Sequence, residues 1–309
     1  MKKKIIIGTR GSELAVAQTK TLQKKIMDIH PDYDVDIKII KTLGDIKQDV
    51  RLQDIDRKGI FTKEIEDSLV DGSIDIAVHS MKDMPSDVNP LFHFPITLER
   101  ENPSDVLIMR EKLSFEDFKL GQFKIGTGSI RRIFFCGELF KNSTTIPIRG
   151  NITTRIRKIE EMELDGVILA KAGINRLNLS NLNEYVLPVS VFMPPPCQGL
   201  LAIQTLKSNK EINEILAPLN HVKSYLEMTI ERAFMTQLNG GCHVPMAINL
   251  NHKGNSLEIT GLFGSEHHTI YSKKTIETDY ENAEKSAISL AIDLKEEVKR
   301  RIEKWEKSI

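Results

Sequence analysis

The chain has 309 residues, 40% of them hydrophobic and 28% charged, with 43 basic residues set against 43 acidic ones. This length predicts two or three domains. The zero net charge excludes a broad nucleic-acid surface, which needs clustered excess cation, and leaves a local basic cleft open.

The start, Met1 to Lys4 followed by Ile5-Ile6-Ile7, holds too short an apolar run for a signal peptide. No segment approaches the roughly 18 apolar residues of a membrane span. Cys136, Cys197 and Cys242 lack CxxC spacing, so they form no disulfide framework and predict a reducing compartment, the cytoplasm.

The first third alternates strand and helix. Ile5 to Thr9 reads as a buried strand, and Ser12 can cap the helix that follows. Val35 to Thr42 alternates like a strand. Thr62 to Asp71 reads as a helix ended by Gly72, and Ile74 to Val78 as a short strand running into His79-Ser80-Met81-Lys82-Asp83. That rhythm predicts an α/β sheet covered by helices.

After Asn102-Pro103 a second α/β stretch begins. Strands are expected at Val106 to Met109, up to Gly126, at Thr145 to Ile148 and at Val167 to Ala170. Helices are expected from Ser129 to about Leu139 and after Asn151. Beyond Pro194-Pro195-Pro196 the character changes. A helix near Tyr225 to Leu238 leads to Gly240-Gly241-Cys242. Strands follow at Met246 to Asn251, Leu257 to Phe263 and Thr269 to Ser272, and a long helix starts near Glu281. Strands followed by one helix predict a small α+β domain.

Ser129-Ile130-Arg131-Arg132 opens a helix, where cations are disfavoured by about 0.3–1 kcal/mol each. Either an anionic ligand offsets this, held by backbone amides, hydroxyl and guanidinium groups, or the pair is a solvated surface feature. The arrangement recurs at Arg149-Gly150-Asn151 with Arg155, at Ala172-Gly173 to Arg176, and at Arg10-Gly11-Ser12. Carboxyl ends of strands are where open α/β sheets bind ligands, so the recurrence points to an extended ligand with several carboxylates or phosphates. Asp83 is open to two readings, an acid, base or cation-stabilising group, or a loop-capping residue paired with Lys82. His79 reads as a structural histidine. Cys242, after two glycines, is either an exposed reactive thiol or a small turn residue. Cys136 reads as core, and Cys197 as either.

These blocks together resemble the porphobilinogen deaminase family, also called hydroxymethylbilane synthase, over nearly the full chain. The resemblance rests on Gly8 to Ser12 with Leu14-Ala15, Lys58-Gly59-Ile60-Phe61 with Lys63-Glu64, and Val78 to Pro85. It continues through Thr127 to Arg132, Arg149 to Arg155, Ala172 to Arg176, and Glu231-Arg232-Ala233 leading to Cys242 with Val244-Pro245.

The family implies a transferase that condenses four porphobilinogen molecules, with loss of ammonia, into a linear tetrapyrrole. The chain grows on a dipyrromethane bound through a thioether to Cys242. Asp83 is implied as a buried catalytic carboxylate. Lys82, Thr127, Ser129, Arg131, Arg132, Thr145 and Arg155 are implied to bind the dipyrromethane. Arg10, Ser12, Phe61, Arg149, Gly150, Arg176 and Gln198 are implied to face porphobilinogen or the growing chain. No metal, nucleic acid or membrane partner is implied, and the chain is expected to be a monomer.

The implied fold is α/β, with two similar periplasmic-binding-protein-like lobes around a cleft and a small C-terminal α+β domain. The implied domains are 1–98 with 199–217, then 103–194, then 222–309. Asp54, Cys197 and His243 depart from the family's common residues at their positions. Two rivals stand beside this reading. One is a two-lobed anion-binding protein without catalysis, which gives Cys242 no task and for which no export signal is seen. The other is a nucleotide- or phosphate-dependent enzyme, for which neither a Walker motif nor a complete GxGxxG is present.

Overall fold

The computed structural model describes residues 3–43, 62–238, 244–265 and 270–307. Strand β1 (Lys3–Thr9) buries Ile5 and Ile7. Ser12 then caps α1 (Glu13–Ile29), its side chain accepting from the Ala15 amide, and α1 turns Gln18, Leu22 and Ile26 inward at helical spacing. Strand β2 (Tyr33–Ile39) pairs parallel with β1. Helix α2 (Lys63–Val70) buries Ile65 and Leu69 and leads into β3 (Ile76–Ser80), also parallel to β1. Strand β4 (Phe92–Ile96) and the late-returning β10 (Leu201–Leu206) complete the sheet in the order β2-β1-β3-β10-β4, with β10 antiparallel to both its neighbours.

The second lobe repeats the plan. Its elements are β5 (Asp105–Met109), α3 (Phe115–Leu120), β6 (Lys124–Gly126), α4 (Ile130–Leu139), β7 (Thr144–Ile146), α5 (Ile152–Glu161), β8 (Gly166–Ala170), α6 (Lys171–Arg176) and β9 (Asn183–Val186). The sheet order is β7-β6-β8-β5-β9, and β5 is the antiparallel strand in the fourth place. The chain divides into two compact units, 1–101 with 199–226 and 102–198 with 227–309. The fourth strand of each sheet, β5 or β10, is therefore the one reached just after the chain passes from one unit to the other. Strands β4, β9 and β10 are not expected from the sequence; β4 carries Pro95 and β9 has only four residues.

Helix α8 (Val222–Leu238) follows a short helix α7 (Lys210–Leu216) and precedes the small antiparallel sheet of β11 (Met246–Lys253), β12 (Ser256–Gly264) and β13 (Tyr271–Asp279). Helix α9 (Ala283–Glu306) covers it with Ala287, Leu290, Ala291, Leu294 and Val298. Ala247 and Leu262 of this sheet join the core of the second lobe, and Tyr271 meets Phe134 edge-on at 4.7 Å. The expected third strand was placed too early: it begins at Tyr271 and runs to Asp279, because its alternation of exposed Lys, Glu and Thr hid its length. No helix among the described residues is long and apolar enough to cross a membrane.

At the second crossing Gly199 sits at φ +90°, and a Cβ there would stand 2.2 Å from the Glu101 carbonyl oxygen. Gly199→Ala is therefore expected to destabilise the protein by about 2 kcal/mol or more, read by denaturant unfolding. A change below about 0.5 kcal/mol would show that the crossing can move aside.

Candidate active site

Strand β3 ends in a 3-10 turn, Met81–Asp83, whose shape comes from apolar anchors. Met81 and Met84 are buried on either side, the Met81 amide donates to the Leu200 carbonyl (3.0 Å), and the Met84 amide donates to the Met81 carbonyl (3.1 Å). With both methionines inward, Lys82 is half-buried and Asp83 points to solvent. The expectation of a buried Asp83 is corrected here: the turn exposes its carboxylate. Ser80, just before it, accepts from Gln18 Nε2 at 2.8 Å. In the same unit Arg10 follows the end of β1, and the Ser12 hydroxyl is engaged as the α1 cap at 3.3 Å.

The second lobe carries the other candidates at the carboxyl ends of its parallel strands. Gly126 of β6 and Ile146 of β7 are register partners, and the Thr127 amide donates to the Ile146 carbonyl at 2.9 Å. The loops 127–129 and 147–151 therefore leave the sheet side by side. Thr127 is buried and its Oγ1 accepts from the Ser129 amide (3.3 Å), while Ser129 caps α4 by accepting from the Arg132 amide. Asn151 caps α5 through the Thr154 amide at 2.8 Å. Arg155, in the first turn of α5, donates from Nε to the Gly150 carbonyl at 2.7 Å, across a residue held at φ +113°. Arg149 is exposed, Thr145 and Arg155 are half-buried, and half-buried Arg176 closes α6 after β8. Thr127, Ser129, Thr145, Arg149, Gly150 and Arg155 thus share one end of the β6–β7 pair, with two helix N-termini adding partial positive charge.

Arg131 and Arg132 are placed differently from a ligand-facing pair. Both are buried, and both guanidinium groups close on Asp105, which is fully buried at the start of β5. Arg131 Nη2 donates to Asp105 Oδ2 (2.5 Å), and Arg132 reaches Oδ1 from Nη2 (2.8 Å) and Nε (3.2 Å). Arg131 Nη1 also donates to the Met193 carbonyl (2.6 Å) and Arg132 Nη1 to the Ile168 carbonyl (2.8 Å). Gln198, implied to face substrate, is also fully buried here and donates from Nε2 to the Pro103 carbonyl (2.7 Å) and to Asp105 Oδ1 (3.0 Å). Burial alone would raise the Asp105 pKa; the two guanidinium groups overcome this and hold its carboxyl well below the usual carboxylate range. The two cations in the first turn of α4 are thus offset by an internal anion.

Sequence reading missed Asp105. Its signal was an acid opening the otherwise apolar strand Asp105–Met109, in a chain that still owed two adjacent arginines a countercharge. Glu231 is a second buried carboxylate that went unread. It accepts from the Cys197 amide at 2.5 Å, and Cys197 is itself buried at φ +64°. Cys136 lies in the core, and burial pushes its thiol up to about 12. Cys242, Phe61, Asp54 and His243 lie outside the described residues.

Two family models cover the chain. One, described as porphobilinogen deaminase, dipyromethane cofactor binding domain, matches residues 5–214, and porphobilinogen deaminase, C-terminal domain, matches residues 225–296. The porphobilinogen deaminase of Clostridium novyi is 41% identical over 95% of this chain and 99% of its own length. That of Clostridioides difficile is 41% identical over 93% of this chain and 95% of the relative, and that of Syntrophomonas wolfei 42% over 84% of each. Among solved structures, the second substrate binding domain of a putative amino acid ABC transporter from Streptococcus pneumoniae covers 74% of this chain and 97% of that chain at 14% identity and a TM-score of 0.43. A score that low decides nothing about this chain. The two family models and relatives that match 84–95% of this chain do decide it: the chain belongs to the porphobilinogen deaminase family.

Proposed function

We propose that the chain condenses four porphobilinogen molecules, with loss of ammonia, into hydroxymethylbilane, on a dipyrromethane joined to Cys242. The observation that carries this is the match of both family models, which together span residues 5–214 and 225–296. When bound, dipyrromethane supplies the free pyrrole carbon to which the first substrate ring is joined.

The residues present suit such a molecule, whose rings bear acetate and propionate groups. Ser129, Arg149 and Arg155 gather donors at the end of the β6–β7 pair, and Arg131 Nε is buried with no hydrogen bond among the described residues. Thr127, Ser129, Thr145, Arg155 and Lys82 would hold the dipyrromethane. Arg131 and Arg132 would act mainly by fixing the loop through Asp105. Arg10, Arg149 and Arg176 would take substrate carboxylates bidentately.

In each cycle the substrate's aminomethyl C–N bond breaks and ammonia leaves. A C–C bond then forms between the resulting methylene and the free carbon of the terminal ring, and that ring carbon gives up its proton; after the fourth cycle the bond joining the new tetrapyrrole to the primer breaks, the primer carbon regains a proton, and water supplies the hydroxyl of the released hydroxymethylbilane. Positive charge develops on the pyrrole before the proton is lost. The Asp83 carboxylate stabilises it and assists the proton's departure. Exposure weakens this effect in water, and it strengthens when bound rings displace solvent from around the carboxylate. We treat residues 1–98 with 199–217, 103–194 and 222–309 as three domains. We take the protein to be a cytoplasmic monomer; three sparse cysteines without CxxC spacing support a reducing compartment.

Intact mass of the purified protein beside Cys242→Ser tests this reading. The wild type is expected to exceed its sequence mass by a dipyrromethane and the variant to match its sequence. If neither chain gains mass after incubation with porphobilinogen, and no ammonia is released, the protein is an anion binder instead.

A further inference from the structure

Residues 195–198 form a turn. The Gln198 amide donates to the Pro195 carbonyl at 3.3 Å, with Pro196 and Cys197 at the two central positions. Proline suits the first of these through its fixed φ. Cys197 at the second has φ +64°. A positive φ there belongs to a type II turn, whereas most side chains other than glycine or asparagine favour type I. The two types differ by a flip of the central peptide, here the one joining Pro196 to Cys197, and so by where the Cys197 amide points.

That amide donates to Glu231 Oε2 at 2.5 Å, and both residues are buried. A buried carboxylate favours the peptide orientation that offers it a donor, because the bond is charge-assisted and a buried acceptor left without it is costly. With the turn so set, Gln198 Nε2 reaches the Pro103 carbonyl and Asp105 Oδ1. Asp105 in turn holds Arg131 and Arg132 at the start of α4, behind the loop 127–129. All of these residues lie in the unit formed by 102–198 and 227–309. Glu231 sits on α8, whose last residue, Leu238, is four positions before Cys242. A continuous set of contacts thus runs from the helix that leads to the attachment cysteine to the loop that carries Thr127 and Ser129.

We propose that Glu231 is a positioning residue for the dipyrromethane: by holding the Pro196–Cys197 peptide in its flipped orientation, it keeps Gln198 on Asp105 and the loop 127–129 set to receive a carboxylate of the two-ring molecule before the thioether forms. The inference rests on the reading of Cys242 and of this loop given above. Once the thioether exists, the attached rings face the loop at high effective concentration, and a slack loop costs much less.

The test uses full-length chains made without porphobilinogen and shown to be folded by circular dichroism. Porphobilinogen is added, and intact mass follows the gain of a dipyrromethane. Glu231→Gln keeps the shape and a weaker, uncharged acceptor, and is expected to slow loading about tenfold. Once that variant is loaded, its KM for porphobilinogen is expected to stay within about twofold of wild type, a split that general loosening of the fold does not produce. Cys197→Gly removes the resistance to positive φ, so in that background Glu231→Gln is expected to slow loading by less than about twofold. Labelling the three cysteines with 15N isolates their amide signals. In wild type the Cys197 amide proton is expected well downfield of ordinary amides, and upfield of that position in Glu231→Gln.

Equal slowing by Glu231→Gln with and without Cys197→Gly would overturn the inference, as would unchanged loading or an ordinary Cys197 amide position in wild type. Wild type that gains no mass would remove the reading of Cys242 beneath it, and the inference with it.

Discussion

Asp105→Ala is expected to destabilise the protein by about 3–5 kcal/mol, because it leaves two buried guanidinium groups without their anion. The loss is larger than that of an ordinary ion pair for a structural reason. Asp105 accepts from Arg131, Arg132 and Gln198, and those three side chains also hold the carbonyls of Met193, Ile168 and Pro103. One carboxylate therefore ties the start of β5 to the first turn of α4, to β8 and to the second crossing. Removing it also releases the loop 127–129 from behind, so the variant that does fold is expected to carry little dipyrromethane by mass. The double change Arg131→Met with Arg132→Met in the Asp105→Ala background should recover stability relative to Asp105→Ala alone, because no buried charge is then unpaired. It should not recover cofactor loading. Stability of Asp105→Ala within about 1 kcal/mol of wild type, measured by denaturant unfolding, would mean that water reaches the arginines.

The same hub sets the acid response. The Asp105 pKa is depressed in the fold, so its contribution is fully present above the ordinary carboxylate pKa of about 3.9. It is lost as pH falls from there toward the much lower folded value. Wild type is expected to keep this trio intact at pH 5, and Asp105→Ala to show a weaker dependence of stability on pH below 4.

Local pattern made much of the fold legible. The caps at Ser12, Ser129 and Asn151 lie where the side chains predict them, each accepting from an amide of the first turn. The parallel strands β1, β3, β6 and β8 read as apolar runs ending in small or hydroxylated residues. What stayed hidden were long-range pairings. Strand β10 joins β3 although its sequence lies more than a hundred residues away, and nothing in Leu201–Leu206 says which sheet it enters. The candidate site divided in the same way. Arg149 and Arg155 announce themselves beside helix starts. The fate of Arg131 and Arg132 depends on Asp105, which the sequence sets 26 residues from Arg131. A side chain's partner across a fold is not a local property, and so two arginines read as ligand donors prove to be one carboxylate's partners.

Asp83→Asn is expected to lower kcat by about two to four orders of magnitude while leaving the fold and the dipyrromethane mass unchanged. The structural half follows from exposure. Asp83 points to solvent, and its turn is held by buried Met81 and Met84 and by the bond from the Met81 amide to Leu200, none of which the amide replaces. Stability is therefore expected to change by less than about 0.5 kcal/mol. The catalytic half follows from charge. Asparagine keeps the shape and a hydrogen-bond acceptor but cannot neutralise the positive charge that forms when ammonia leaves and the rings couple, and cannot take a proton. An electrostatic role predicts that Asp83→Glu retains more activity than Asp83→Asn even though its carboxylate is displaced by a methylene. It also predicts that KM changes far less than kcat, because the charge exists only on the way to product. Near-normal turnover in Asp83→Asn would remove Asp83 from the chemistry. Equal loss in the Asn and Glu variants would show that the position of the group, rather than its charge, is what the reaction needs.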